Sequence, residues 1–274
     1  MDRQAIVSVK NAALNLGGRT LWRGMNLDIS AGECIAVLGP NGAGKSSFIN
    51  MLLGLHQPGT GTVSIFGQQA HQARKNIGYV PQQKAFDREL PISGRQLVTL
   101  GVHGATWFMA PLSKAQKEQV ETAIKEVGAL AYADKPLGTL SGGEQQRLRI
   151  AQALASSPQL LLCDEPLLSL DIASQHQVAA ILQKRRKKGT AIVFVTHEIN
   201  PVLPFVDRIL YIVDGKWTIG SPKDVLTSSH LTALYGAPVE VLNVHGQIIV
   251  ISTGEQTSTE PHDPHHHLQE SEHL

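Results

Sequence analysis

The sequence predicts an α/β fold organised around a buried, largely parallel sheet. Three observations predict it. Apolar runs of strand length occur at Cys34–Leu38, at residues 160–163 and at Ala191–Val195, far apart in the chain; continuous apolar strands mark a sheet covered on both faces. The first run passes through a glycine-rich turn, residues 39–47, into residues 47–53, which read as a helix. The second ends in adjacent carboxylates, Asp164 and Glu165. An Asp-Glu pair is ordinarily a solvated turn; here it closes an apolar strand.

Taken in order, residues 1–30 and 60–66 carry alternating apolar positions, such as Val7 with Val9 and Leu27 with Ile29. That alternation suits an antiparallel sheet over the glycine-rich turn. From about residue 87 to 155 the pattern becomes helical: residues 116–127 read as an amphipathic helix, and residues 101–111 as a looser connection containing glycine and aromatics. The basic run Lys184-Arg185-Arg186-Lys187-Lys188 precedes Gly189, as cations do in the last turn of a helix, where they offset its dipole. Residues 239–244 and 247–251 read as a hairpin turning at His245-Gly246. Beyond Ser252 the chain is polar with no apolar period, and disorder is expected there. The expected organisation is a main domain over 1–235 with a helical subdomain inserted at about 87–155, a hairpin extension at 236–252, and a tail at 253–274.

The turn Gly39-Pro40-Asn41-Gly42-Ala43-Gly44-Lys45-Ser46-Ser47 matches G-x-x-x-x-G-K-[ST] in full, between a strand and a helix as the motif requires. Glycines let successive N–H groups turn inward around phosphate oxygens, and the positive helix end adds to the field. Lys45 can reach the β- and γ-phosphates, and Ser46 is placed to ligate Mg²⁺. Asp164, at a strand end beside this loop, is placed for the second Mg²⁺ contact. Glu165 next to it can orient or deprotonate an attacking water. The ligands this predicts are ATP and Mg²⁺.

A second glycine-rich stretch, Ser141-Gly142-Gly143-Glu144, opens another helix-patterned run. It reads in two ways: a phosphate-ready helix start, or a capping box in which Ser141 caps the helix and Glu144, three residues on, reaches back. Further along, residues 191–196 read as another buried strand, which delivers His197 to the same sheet edge as Asp164.

In this order, the phosphate loop, Tyr79-Val80-Pro81-Gln82, Leu140-Ser141-Gly142-Gly143-Glu144, Asp164-Glu165-Pro166, Ser169-Leu170-Asp171 and Thr196-His197 resemble the ATPase subunit of an ATP-binding cassette (ABC) transporter over roughly residues 5–220. The resemblance implies an α/β, P-loop NTPase (RecA-like) core with an antiparallel β-subdomain and an inserted helical subdomain. It implies that Gln82 senses Mg²⁺ and the attacking water and links the site to a membrane partner. Asp171 would lie at a dimer seam and His197 would contact the γ-phosphate. Ser141, Gly142, Gly143 and Glu144 would serve the ATP held by a second copy of the chain. The place where the family stacks adenine on an aromatic residue falls on Leu16, a departure that weakens base stacking; Trp22 reads as core.

Residues 87–92 with Val98-Thr99-Leu100-Gly101 resemble the branch serving zinc, manganese and iron-chelate importers. The implied protein is the ATP-hydrolysing subunit of an importer of a divalent metal ion, zinc or manganese. It would act as a homodimer on an integral membrane permease fed by a substrate-binding protein, at the cytoplasmic face of the membrane. Alternatives are another cargo, whether an iron chelate or an exported lipid or drug, and a cassette ATPase without a transporter. One phosphate loop and no sustained heptads speak against the last.

Composition is in keeping with this. A net charge of +1 with 17% charged residues in 274 gives no electrostatic case for nucleic acid. No apolar run approaches the roughly 20 residues needed to span a bilayer, and the start lacks the apolar segment of a signal peptide. Cys34 and Cys163 fall in core strands, as buried hydrophobes in a reducing compartment would. The tail carries His262, His265, His266, His267 and His273, which suit either a solvated tail or cloning remnant, or a loose Zn²⁺-binding tract.

Overall fold

The structure is a computed structural model of the chain and describes residues 5–82, 87, 91–103 and 111–252. Strands β1 (Ala5–Leu16) and β2 (Arg19–Ser30) lead into β3 (Cys34–Leu38) and helix α1 (Lys45–Leu52), followed by β4 (Thr60–Ile65), β5 (Gln68–Gln69) and β6 (Ile77–Val80). Three helices come next, α2 (Gly94–His103), α3 (Lys114–Glu126) and α4 (Gly142–Leu154), before β7 (Leu160–Asp164), α5 (Ile172–Lys187) and β8 (Ala191–Val195). The chain closes with β9 (Arg208–Val213), β10 (Lys216–Gly220), α6 (Pro222–Val225), α7 (Ser228–Tyr235), β11 (Val239–Val244) and β12 (Gln247–Ser252).

The central sheet has the order β10-β9-β3-β8-β7-β6, parallel except for β10. Every residue of β3, β7 and β8 is buried, as expected of strands covered on both faces. Alternation along β3 feeds two cores: Cys34, Ala36 and Leu38 face a cluster shared with α2–α5, while Ile35 and Val37 face one shared with α1, β1 and β2. Trp22 is fully buried in the second cluster and meets Phe48 edge to face at 6.2 Å. The first three strands of the antiparallel sheet β2-β1-β4-β5 fall where the alternating pattern is expected. Both cysteines are buried and free, and burial pushes the Cys34 thiol up to about 12.

Two expectations change in detail. The basic run at the end of α5 does more than offset the helix dipole: Arg185 and Lys188 both reach Glu126 of α3 at 3.0 Å, and Arg186 pairs with Asp207. Gly101 does not open a loose connection, since α2 continues to His103. A Cβ at Gly101 would lie 2.0 Å from the Gln152 carbonyl oxygen of α4, so the glycine is there to let two helices approach.

Gly101→Ala must therefore separate α2 from α4. Overpacking of this kind costs about 1–3 kcal/mol, and thermal unfolding followed by circular dichroism should show a lower midpoint, with ATP binding retained below it.

Candidate nucleotide site

Gly39 leaves β3 with φ 142°, and a Cβ there would sit 2.0 Å from the Ile212 carbonyl of β9; no other residue fits. Gly44 begins α1 in the left-handed region with no side chain capping the helix, so the first N–H groups remain available to an anion. Lys45 is buried, and its ammonium donates to the Gly39 and Pro40 carbonyls at 2.8 and 3.0 Å. An ammonium has three N–H groups, so one is left to face the cleft. Burial lowers the Lys45 pKa, with Glu165 and Asp164 pulling the other way.

Behind Lys45, the Ser46 hydroxyl donates to Asp164 Oδ1 at 3.1 Å. Burial holds the Asp164 carboxyl above its ordinary range, against the Ser46 hydrogen bond and the Lys45 charge. Glu165 follows with φ 48°, a left-handed conformation costing a non-glycine residue about 1–2 kcal/mol. Its N–H donates to Val195 of β8 at 2.9 Å, and its carbonyl accepts from Leu168 at 3.2 Å. The carboxylate Oε1 lies 2.6 Å from His197 Nε2.

A cleft of about 530 Å³ gathers these groups: Asn41, Gly42, Gly44, Lys45, Ser46, Ser47, Gln82, Glu165 and His197, with Leu16, Leu21 and Leu168. Gly39, Pro40 and Ala43 build the loop behind it. Leu16 lines the cleft, and no Phe, Tyr or Trp is among the described lining residues. Leu21 and Leu168 escaped the sequence reading. Leu21 stands beside the core residue Trp22, and both side chains lie within 3.3 Å of where a Cβ on Gly44 would sit; nothing in the local pattern marked it.

Ser141, Gly142, Gly143, Glu144 and Asp171 lie outside that cleft and together form a second group. Both halves of the capping box are present: Ser141 Oγ accepts from the Glu144 N–H at 3.3 Å, and Glu144 Oε2 accepts from the Ser141 N–H at 2.9 Å. A Cβ at Gly143 would come 2.3 Å from Ser174 Oγ, so α4 begins against the start of α5. Asp171 caps α5 by accepting from the Ser174 N–H at 2.8 Å, and hydrogen bonds to Ser174 lower its pKa. Ser141 and Gly142 are exposed. His262, His265, His266 and His267 lie outside the described residues. Among the described residues no group of three or more His, Cys, Asp or Glu could hold a metal ion, and no helix is long and apolar enough to cross a membrane.

A phosphate loop, a buried lysine and strand-end carboxylates on one edge of a parallel sheet define a P-loop NTPase. Residues 22–168 match the family described as ABC transporter, and the chain belongs to that family; it is an ATP-binding ATPase. It is 31% identical over 247 residues to the manganese transport system ATP-binding protein MntB of Halalkalibacterium halodurans, covering 90% of this chain and 98% of that protein. It is 31% identical over 220 residues to the zinc transport system ATP-binding protein TroB of Treponema pallidum, covering 80% and 82%. Among solved structures, a metal-chelate type ABC transporter in an inward-facing conformation superposes with a TM-score of 0.77 at 28% identity, covering 90% of this chain and 96% of that one.

The raised Asp164 pKa sets a pH dependence. A folded carboxyl that binds its proton more tightly than the unfolded one weakens folding: the penalty is absent below the unfolded pKa, grows as pH rises from there to the folded pKa, and is complete above it. In protein assayed without nucleotide, Asp164→Asn should raise the thermal midpoint at pH 7. The gain over wild type should shrink as pH falls toward the ordinary carboxylate value of about 4.

Proposed function

We propose that this chain is the ATP-hydrolysing subunit of an ABC importer for a divalent metal ion, zinc or manganese. Two copies would act at the cytoplasmic face of a membrane on a separate permease, supplied by a substrate-binding protein. The ATPase reading rests on the convergence of Lys45, Ser46, Asp164, Glu165 and His197 at one sheet edge. The cargo reading rests on the manganese and zinc relatives matching most of the chain. The divisions we propose are a main domain over 1–235 with its helical insertion at about 87–155, a hairpin extension at 236–252 and a tail at 253–274.

Mg²⁺ suits the donors present: a hydroxyl and a carboxylate 3.1 Å apart, with the Gln82 amide at the cleft. Mg²⁺ takes hard oxygens, usually one or two carboxylates with substrate phosphates and waters. Ser46, Asp164 and Gln82 would hold it, and when bound it neutralises charge on phosphate oxygens. Lys45 and the loop N–H groups that face the cleft between Asn41 and Ser47 hold the phosphates. Glu165 accepts a proton from water as that oxygen bonds to the γ-phosphorus and the bond to ADP breaks. His197 donates to the γ-phosphate. Ser141, Gly142, Gly143 and Glu144 of one copy, with Asp171 at the seam, complete the site of the other; the exposure of Ser141, Gly142 and Asp171, outside the cleft that holds Lys45, supports this. In outline, ATP closes the pair, the Gln82 region passes that closure to the permease, and hydrolysis reopens it.

A second cargo reading, an iron chelate, is favoured by the metal-chelate type transporter of similar structure. Growth of a deletion strain separates the two. Rescue by zinc or manganese supports the first, and rescue only by a chelated iron source supports the second.

Loss of a positioned general base costs about 10²–10⁴-fold. Glu165→Gln should therefore reduce turnover by that order while still binding ATP and eluting as an ATP-dependent dimer in size-exclusion chromatography. Near-normal hydrolysis would remove Glu165 from the role.

A further inference from the structure

The hairpin β11–β12 lies beyond the stretch that matches the family, yet it reaches back to the loop that carries His197. Asn200, three residues after His197, contacts Ile248 of β12 twice. Its Nδ2 donates to the Ile248 carbonyl at 3.0 Å, and its Oδ1 accepts from the Ile248 N–H at 2.8 Å. Ile248 stands opposite Asn243 in the hairpin register, and these two backbone groups turn away from β11. One side-chain amide thus takes the place of a neighbouring strand. The contact borders a cavity of about 450 Å³ where β12 (Ile249, Val250), the phosphate loop (Gly39, Pro40) and the His197 loop meet.

His197 is 40% exposed, and its charged contact is Glu165. Its imidazole is aimed chiefly by the backbone of residues 196–200. Ahead of it, Thr196 donates its N–H to Val37 at 3.3 Å, while the Thr196 hydroxyl donates to the Glu198 carbonyl at 2.8 Å and accepts from the Glu198 N–H at 3.0 Å. Behind it, Ile199 is buried and Asn200 is fastened to the hairpin. We infer that Asn200 is a positioning residue for His197, and that the carboxyl-terminal hairpin is the brace it holds to. This rests on the reading of His197 as a γ-phosphate contact.

The test is ATP hydrolysis and hydrogen exchange by the full chain carrying Asn200→Ala, Asn200→Asp or His197→Ala. Asn200→Ala loses both hydrogen bonds. It should lower kcat about tenfold with KM for ATP and the thermal midpoint near wild type, and it should speed exchange of the Ile248 and Glu198 amides together. Asn200→Asp keeps the shape but sets a carboxylate oxygen against the Ile248 carbonyl, so the same fall confined to kcat is expected; this variant decides the matter if the alanine chain folds poorly. Wild-type kcat in the folded Asn200 variants, beside an impaired His197→Ala, overturns the inference and leaves the site reading intact. A matched fall in kcat and midpoint with faster exchange throughout the chain makes Asn200 merely structural and also overturns it. Full activity of His197→Ala would remove the reading beneath it.

Discussion

Strand β3 lies between β8 and β9, and that parallel pairing is the constraint on which the rest depends. Cys34 to Val37 run in register with Ile192 to Val195, and Ile35 to Leu38 with Arg208 to Tyr211. Because β6, β7 and β8 point the same way, whatever follows each strand collects at one edge. Gly39 follows β3, Gln82 follows β6, Glu165 follows β7 and His197 follows β8. Crevices at the carboxyl edge of parallel sheets are where ligands bind in such folds. Positions spread over more than half the chain thereby become neighbours, without long side chains having to bridge them.

The same constraint fixes what β3 can be. Cys34, Ala36 and Leu38 enter one core and Ile35 and Val37 the other, so neither face tolerates a polar group without leaving it unpaired. The Gly39 backbone then has to clear the Ile212 carbonyl of the neighbouring strand. The glycine of the phosphate loop thus answers to the sheet as well as to the ligand.

Legibility in the sequence followed the range of the interaction. The phosphate loop, the carboxylates after β7 and the hairpin turning at His245-Gly246 are local patterns, readable because strand, turn and helix periods are fixed by backbone geometry. Leu16 and Trp22 were placed by the resemblance to the family and not by a local pattern. Gly101 could not, since its reason is a carbonyl on a helix some fifty residues away. The Asn200–Ile248 pairing spans 48 residues, and an asparagine before a proline reads locally as a turn. At Ser141 the sequence offered a capping box and an anion-binding helix start. The box is present, and it does not exclude the other reading: the Glu144 carboxylate takes the Ser141 N–H, while Gly142 keeps its exposed place at the helix start.

Within the cleft, burial acts oppositely on Lys45 and Asp164, lowering the ammonium and raising the carboxyl. Each charge is disfavoured by its surroundings and supported only in part by the other, because Lys45 bonds to carbonyls and Asp164 to a hydroxyl. A ligand that brings anionic oxygens to the ammonium and a hard cation to the carboxylate relieves both at once, which is how a site comes to prefer the pair over either alone. Glu165 is strained in a different way. Its φ of 48° is held by hydrogen bonds from its own N–H to β8 and from Leu168 to its carbonyl, so the backbone cannot relax without breaking contact with the sheet. Its carboxylate therefore has a fixed origin, and the partner it meets at 2.6 Å, His197, rides on a loop fastened ahead by Thr196 and behind by Asn200. The precision of that pair depends on the two loop fastenings, since the Glu165 side is already immobilised by the strand it follows.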